Sequence, residues 1–324
     1  MPTPFRATDV PFFTFLPLAA QSVTVSRIRL RRRSRMDRLS IRTLGGAEVS
    51  LGGQPVQWRA ESARTLFFYL LTYPGGRSRT EIINALWDAE PDALLGNRFR
   101  VVVHRARAAL GSKACLLEEH NRYRLSAEVL KSSDVCAFTA GLEQAKHDPL
   151  PEMRRVTLER LLQTYQGEYL PFESAEWAQQ AREEHRAAFV QAQIELSELH
   201  CDVVACAPSV NALALALQAD PFMGENHHQR LMTCLSVVED KYAATEHFRR
   251  FVSFLRLEVN DAPMPETLEL AARIKGGEHI CRRNAGGLDA AGTHHCSFMS
   301  EQPCPVAEKI VIPDPRRGTR QLLH

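Results

Sequence analysis

At 324 residues the chain is long enough for two domains of ordinary size, each burying its own core. A hydrophobic fraction of 44% with 24% charged residues belongs to a globular protein, and no run of 18 apolar residues exists to span a membrane. The net charge of +2 conceals a division: residues 36–125 hold 13 Lys/Arg against 9 Asp/Glu, and residues 133–275 hold 13 against 22. A half at +4 joined to a half at −9 points to one module for a polyanion and another for a different partner.

Residues 10–20, VPFFTFLPLAA, look like the core of a signal peptide, but two prolines interrupt them and the arginines of 27–35 follow rather than precede them. That charge order is wrong for export, so 1–35 reads as a disordered basic leader, or as sequence upstream of a natural start at Met36. From 39 to 58 the pieces LSIRTLG, AEVSLGG and QPVQW alternate apolar and polar residues between glycine pairs, which predicts a small antiparallel sheet. A helix is expected over 61–73, with Ala63, Leu66, Phe67, Leu70 and Leu71 on its buried face, closed by Pro74–Gly75–Gly76. Ser78 or Thr80 caps a short second helix carrying Ile82, Ile83, Leu86 and Trp87. An acidic loop over 88–93 leads to a third helix over 94–110, stopped by Gly111, and ACLLEEHNRYRLS reads as a hairpin with its tip near 119–122. Strands, three helices and a terminal hairpin make a winged helix-turn-helix over 36–126.

Beyond Ser133 the 3.6-residue period runs through helices at 135–145, 153–165, 177–201, 209–219, 224–238, 241–257 and 265–274. Paired helices of this length predict tetratricopeptide-like stacking over 133–275, most clearly in the pair opened by Asp220–Pro221 and packed through Ala243, Ala244, Phe248 and Phe251. The expected fold is therefore mainly α: an α+β winged helix followed by an all-α tetratricopeptide-like helical-repeat domain. From 276 to 324 the composition turns to Gly, Pro, Arg and His without a period, and reads as a disordered tail. The eight scattered cysteines read as thiols of a reducing compartment, hence a cytoplasmic protein. In the tail His279, Cys281, His294, His295, Cys296 and Cys304 are metal-ligand types, but their spacing fits no regular zinc pattern, so no metal is expected.

The third helix carries the chemistry. At 100° per residue Phe99, Val103, Ala106 and Leu110 fall together with Val102 at their edge, and Asn97, Val101, His104 and Ala108 face the other way. Arg98 and Arg105 flank that outer stripe on one side, Arg100 and Arg107 on the other, and 95–113 holds five basic residues and no acid. A merely solvated helix normally mixes in glutamates for i,i+4 pairs. A helix of about 24 Å with a smooth stripe between arginine rails instead suits the major groove of duplex DNA. Arg105 is the expected base reader, since arginine bonds guanine bidentately. Arg122 and Arg124 are expected to extend the surface through the hairpin, and the amides after Ser78, with Arg79 and Thr80, to hold a backbone phosphate. Trp87 is either a core residue or an indole donor to phosphate. No P-loop, G-x-S-x-G or H-E-x-x-H arrangement occurs, so neither an enzyme nor a bound cofactor is expected.

The stretch IRTLGGAEVSLGGQPVQW…ESARTLFFYLLTYPGGRSRTEIINALW…NRFRVVVHRARAALG resembles the OmpR-type winged helix of the antibiotic regulatory protein (SARP) family. TYQGEYLPFESAEWAQQAREEHRAAFVQAQIELSEL…ALALQADPFMGENHHQRLMTCLSVVEDKYAATEHFRRF…PETLELA looks like the bacterial transcriptional activation domain that follows it, and together they cover about 39–274. The resemblance implies a transcription activator that binds promoter DNA at direct repeats, with a homodimer on DNA left open, and recruits RNA polymerase. It places Arg105 and Arg107 on the family's recurrent basic pair and Val101 on a groove-side apolar position. Two departures stand out: Arg122 precedes the wing tyrosine Tyr123 where relatives often have glycine, and CDVVACAPS replaces a Gly–Asp/Asn turn. The competing expectation is a helical-repeat adaptor whose winged helix binds no DNA and whose acidic repeats hold basic peptides. Under the activator reading, the basic half should suffice for DNA binding, the acidic half should serve activation or dimer contacts, and the 88–92 loop should face polymerase.

Overall fold

The computed structural model describes residues 39–90 and 92–281; the leader, Pro91 and the tail beyond 281 lie outside them. Strand β1 (Leu39–Arg42) pairs antiparallel with β2 (Glu48–Leu51), and β2 with β3 (Gln54–Pro55). The two-residue period shows in β1, where Leu39 and Ile41 are buried and Ser40 and Arg42 exposed. Helix α1 (Glu61–Thr72) follows, then β4 (Arg77–Ser78), α2 (Arg79–Trp87) and α3 (Ala93–Ala109). Strands β5 (Leu116–Glu119) and β6 (Arg122–Leu125) form the wing, and β4 completes a second sheet in the order β4-β6-β5. The two-residue β4 is too short to leave a signal in the sequence, where Gly76 and Ser78 read only as a stop and a cap.

Six consecutive residues of α1, Leu66 to Leu71, are buried. A helix covered on one side only exposes its opposite stripe, so α1 must be enclosed on all sides. The winged helix covers the face expected from the sequence, and the helical domain meets α1 at Tyr69 and Thr72: Tyr69 lies edge-on to Trp177 at 5.5 Å, and Thr72 Oγ1 lies 2.8 Å from the Tyr169 hydroxyl.

The helical domain is reached through a short α4 (Ala127–Lys131), absent from the sequence expectation, and comprises α5 (Asp134–His147), α6 (Pro151–Leu162), the 27-residue α7 (Glu176–Asp202), α8 (Cys206–Ala219), α9 (Glu225–Val238), α10 (Lys241–Phe254) and α11 (Pro265–Lys275). A π-helical turn at Leu255–Val259 ends α10. Where a glycine turn was missing from CDVVACAPS, Val204 takes a left-handed φ of 58°, an uncommon conformation for a β-branched residue. Small separate cores close the C-terminal repeats: Leu213, Leu217 and Leu231 in one, Met232, Ala244, Leu270, Ile274 and Ile280 in the other. The tail expected to be disordered from 276 is ordered at its start, because Ile280 and Cys281 are buried and Arg273 pairs with Glu278 at 2.6 Å.

Between the two halves the backbone is stitched. The Asp134 carboxylate accepts from Thr43 N (2.8 and 2.9 Å), Thr43 Oγ1 (2.7 Å), Leu44 N (2.9 Å) and its own neighbour Val135 N (2.7 Å). Ile41 N donates to Ser132 O, Gly45 N to Glu168 O and Leu170 N to Thr43 O, each at 2.9 Å. Gly45, at φ +91°, is needed here, since a Cβ would stand 3.0 Å from the Gln166 backbone. One hydrophobic cluster consequently runs unbroken from Leu39 to Ala216.

Five histidines of the helical domain, His185, His200, His227, His228 and His247, are pushed below the usual imidazole range, burial being the main cause in each. His228, brought down to about 4, stacks 3.9 Å from Phe251 and shares a 3.3 Å contact with His247. A histidine depressed in the fold contributes stability that is complete above its unfolded pKa and is lost as pH falls toward the folded one. The expected result is a thermal midpoint that drops as pH falls from about 7.5 to 5, before most carboxylates protonate, with His228 among the contributors. A flat midpoint over that range, or a His228→Phe variant with the wild-type pH profile, refutes this.

Candidate nucleic-acid interface

Helix α3 begins at Asp92, whose Oδ1 accepts from Leu95 N at 2.6 Å, and ends before Gly111 at φ +71°. Its inner face, Gly96, Phe99, Val102, Val103, Ala106 and Leu110, is buried. Val102, expected at the edge, is fully in the core at 2% exposure. Two contacts fix the helix to the wing: Phe99 meets Tyr123 edge-on at 4.9 Å, and Arg107 donates through Nε (3.0 Å) and Nη2 (2.8 Å) to Leu116 O.

Outward, Asn97, Val101, His104 and Ala108 form an exposed stripe. Arg98, Arg100 and Arg105 beside it are exposed as well. Arg98 rests its guanidinium 4.8 Å above the Trp87 ring, so Trp87 supports an arginine rather than only filling the core. Arg100 and Arg105 have no hydrogen bond or ion pair among the described residues. The four arginines of the expected rails therefore differ: three present charge to solvent, and Arg107 ties the helix to β5.

The other residues named from sequence behave differently. Arg122 donates to Gly76 O at 2.7 Å, and Arg124 holds Glu119 Oε2 at 2.6 and 3.1 Å, so both wing arginines are engaged within the sheet. The wing turns in two residues, His120 and Asn121, at φ 49° and 61°, and this is why no glycine is required before Tyr123. At α2, Ser78 Oγ accepts from Glu81 N while Glu81 accepts from Ser78 N at 2.7 Å. This capping box puts a carboxylate on Ser78 N and a hydroxyl on Glu81 N, so one of the amides after Ser78 is already occupied, and the hydrogen bond from Ser78 N holds Glu81 below the usual carboxylate range. Thr80 is exposed there, whereas Arg79 lies across α3: a Cβ on Gly96 would come within 1.7 Å of its Nη2.

Between α3 and the wing opens a cleft of about 500 Å³, lined by Arg100, His104, Arg107, Lys113, Glu118 and Tyr123. Burial and the Glu118 hydrogen bond push the Tyr123 phenol up to about 12, so it stays neutral at any working pH. Lys113 was not singled out from sequence; its only signal was membership of the acid-free basic stretch 95–113.

In the comparison with known families, residues 133–275 match the bacterial transcriptional activator domain. No curated protein matches the chain. Among solved structures, Mycobacterium tuberculosis EmbR, in complex with a low-affinity phosphopeptide, has the same fold at a TM-score of 0.58 and 20% identity. The likeness covers 74% of this chain and 66% of that one, just under two thirds of its length. No helix among the described residues is long and apolar enough to cross a membrane. The helical domain thus matches the bacterial transcriptional activator domain, and the likeness to EmbR is one of fold, here a winged helix followed by helical repeats.

Proposed function

We propose that the chain is a sequence-specific duplex-DNA-binding activator, acting in the cytoplasm at promoters and recruiting RNA polymerase. The observation that carries this is α3 itself: Arg98, Arg100 and Arg105 exposed around a smooth stripe, with no acid from 95 to 113. In the major groove Arg105 reads a guanine edge, Val101 meets a thymine methyl, and Asn97 and His104 reach neighbouring bases. Arg98 and Arg100 lie against phosphates of the two strands, and Lys113 adds a third contact across the cleft. Arg107, Arg122, Arg124 and Arg79 contribute chiefly by holding α3 and the wing in position, and Thr80 stands beside the backbone. Binding at direct repeats by two copies follows from the family resemblance. In the loop before α3, Asp92 is engaged as a cap, so Asp88 and Glu90 are the acids left to face polymerase.

A full chain making about three phosphate contacts should lose affinity with a log–log salt slope near −3 between about 50 and 200 mM salt. An affinity that barely changes removes the phosphate contacts. Arg105→Ala should erode discrimination between promoter and random DNA by about 1–3 kcal/mol, whereas Arg100→Ala should weaken both about equally. The opposite pattern would mean that the helix presents its other edge to the bases. The adaptor reading is favoured by the −9 charge of 133–275 alone, and it requires that these arginines be dispensable in the cell.

A further inference from the structure

One of the three exposed arginines on α3 is held and the other two are not. Arg98 keeps its guanidinium 4.8 Å from the centroid of the Trp87 ring, whereas Arg100 and Arg105 rest on no ring among the described residues. The carboxylates of Asp88, Glu90 and Asp92 lie nearer to Arg98 in the chain than that ring does. Arg98 nevertheless makes no ion pair or hydrogen bond among the described residues, and Asp92 is taken up by Leu95 N.

The ring itself is fixed. Trp87 is the last residue of α2 and packs, partly buried, against the main core. Directly after it Asp88 takes a left-handed φ of 49° and donates its N–H to Asn84 O at 2.7 Å, which ends the helix. Across the loop the first turn of α3 lies so close to α2 that a Cβ on Gly96 would stand 1.7 Å from Arg79 Nη2. The indole therefore has a set place relative to α3. An ion pair with a loop acid would neutralise Arg98 and use its N–H groups. An aromatic face attracts the cation without doing either, so the charge and its fork of donors stay open to an anion. An arginine held in advance also gives up less rotamer freedom when it makes its contact.

We propose that Trp87 is a positioning residue for DNA, which holds the Arg98 guanidinium ready for a backbone phosphate while its own indole N–H stays out of the contact. This rests on the reading of α3 as the groove helix and adds how one of its phosphate contacts is aimed. The test is a double-mutant cycle in the full chain, read by fluorescence anisotropy on duplex DNA at several salt concentrations, with a thermal melt of each variant. Arg98→Gln should weaken binding about fivefold near physiological salt and make the salt slope shallower by about 1. Trp87→Leu should weaken it about two- to fivefold, and Trp87→Phe by less, because phenylalanine keeps a face and has no N–H. In the Arg98→Gln background, Trp87→Leu should cost no further affinity, whatever it does to the melting midpoint. If Trp87→Leu does not fold, the same cycle is closed with Trp87→Phe. Equal losses with and without Arg98 overturn the proposal and leave the reading of α3 standing, since the ring would then act only through the fold. Trp87→Phe as weak as Trp87→Leu overturns it too, because the indole N–H would then meet the DNA itself. A wild type without affinity for duplex DNA overturns both.

Discussion

A chain that ends at Ser126 should neither fold stably nor bind DNA. The sequence places a domain boundary there, and the charge division suggests that the basic half can act alone. The structure puts essential parts of the winged helix beyond that residue. Truncation removes the Asp134 carboxylate from Thr43 and Leu44, the Ser132 acceptor of Ile41 and the Tyr169 partner of Thr72. It also uncovers α1 at Tyr69, which is 5% exposed in the intact chain and packs on Trp177. Five lost hydrogen bonds at about 1 kcal/mol each, plus one uncovered aromatic side chain at about 2 kcal/mol, approach the whole stability of a typical domain. Circular dichroism and amide dispersion of 36–126 should show a largely unfolded chain, and adding 127–281 in trans should recover both structure and DNA binding. A well-dispersed fragment with the affinity of the full chain would show that the stitched boundary is dispensable. In the full chain, Asp134→Ala should reproduce part of the loss, because at least three native donors on β1's continuation are then left without their acceptor.

What the sequence discloses and what it hides follow from how far each signal reaches. Helix α3 was legible because its periodic core, its arginines and its stop lie within about twenty residues. The same is true of the Asp220–Pro221 turn, whereas the choice between Ser78 and Thr80 as a cap stays open in the sequence and falls to Ser78 in the structure. The enclosure of α1 was not read, although FFYLL hints at it: one helix face explains Phe67, Leu70 and Leu71, and the remaining aromatic residues demand a second covering surface, which the distant Trp177 supplies for Tyr69. Charge on an arginine is visible in a sequence, but its engagement is not. Arg105 and Arg107 look alike on a helical wheel, and only the fold brings Leu116 O to one of them. The wing follows the same rule, since Glu119 lies opposite Arg122 in the register yet binds Arg124. Local acids such as Glu81 and Asp92 turned out to be caps, which reassigns amides and carboxylates that sequence reasoning offers to phosphate and polymerase.

These distinctions concentrate the expected DNA contacts on few side chains, so replacing Arg98, Arg100 and Arg105 together with glutamine should have a large effect. Two phosphate contacts, each worth close to one released counterion, and one bidentate guanine contact sum to about two to three orders of magnitude in affinity near physiological salt. The salt slope should become shallower by about 2, because Arg105 reads a base rather than a phosphate. Stability should hardly change: all three side chains are exposed, none has an ion pair among the described residues, and only the contact of Arg98 with Trp87 is lost, at about 0.5–1 kcal/mol. A matched set, Arg122 and Arg124 to glutamine, should show the reverse: modest loss of affinity with a lower thermal midpoint, since those side chains brace the sheet at Gly76 and Glu119. Fluorescence anisotropy on promoter DNA with parallel thermal melts separates the two. If the triple variant binds within about threefold of wild type and the wing variant does not, the wing carries recognition and α3 is a scaffold. If neither loses affinity, or the wild type shows none and the triple variant keeps its role in the cell, the winged helix is not a DNA reader and the acidic repeats hold the function.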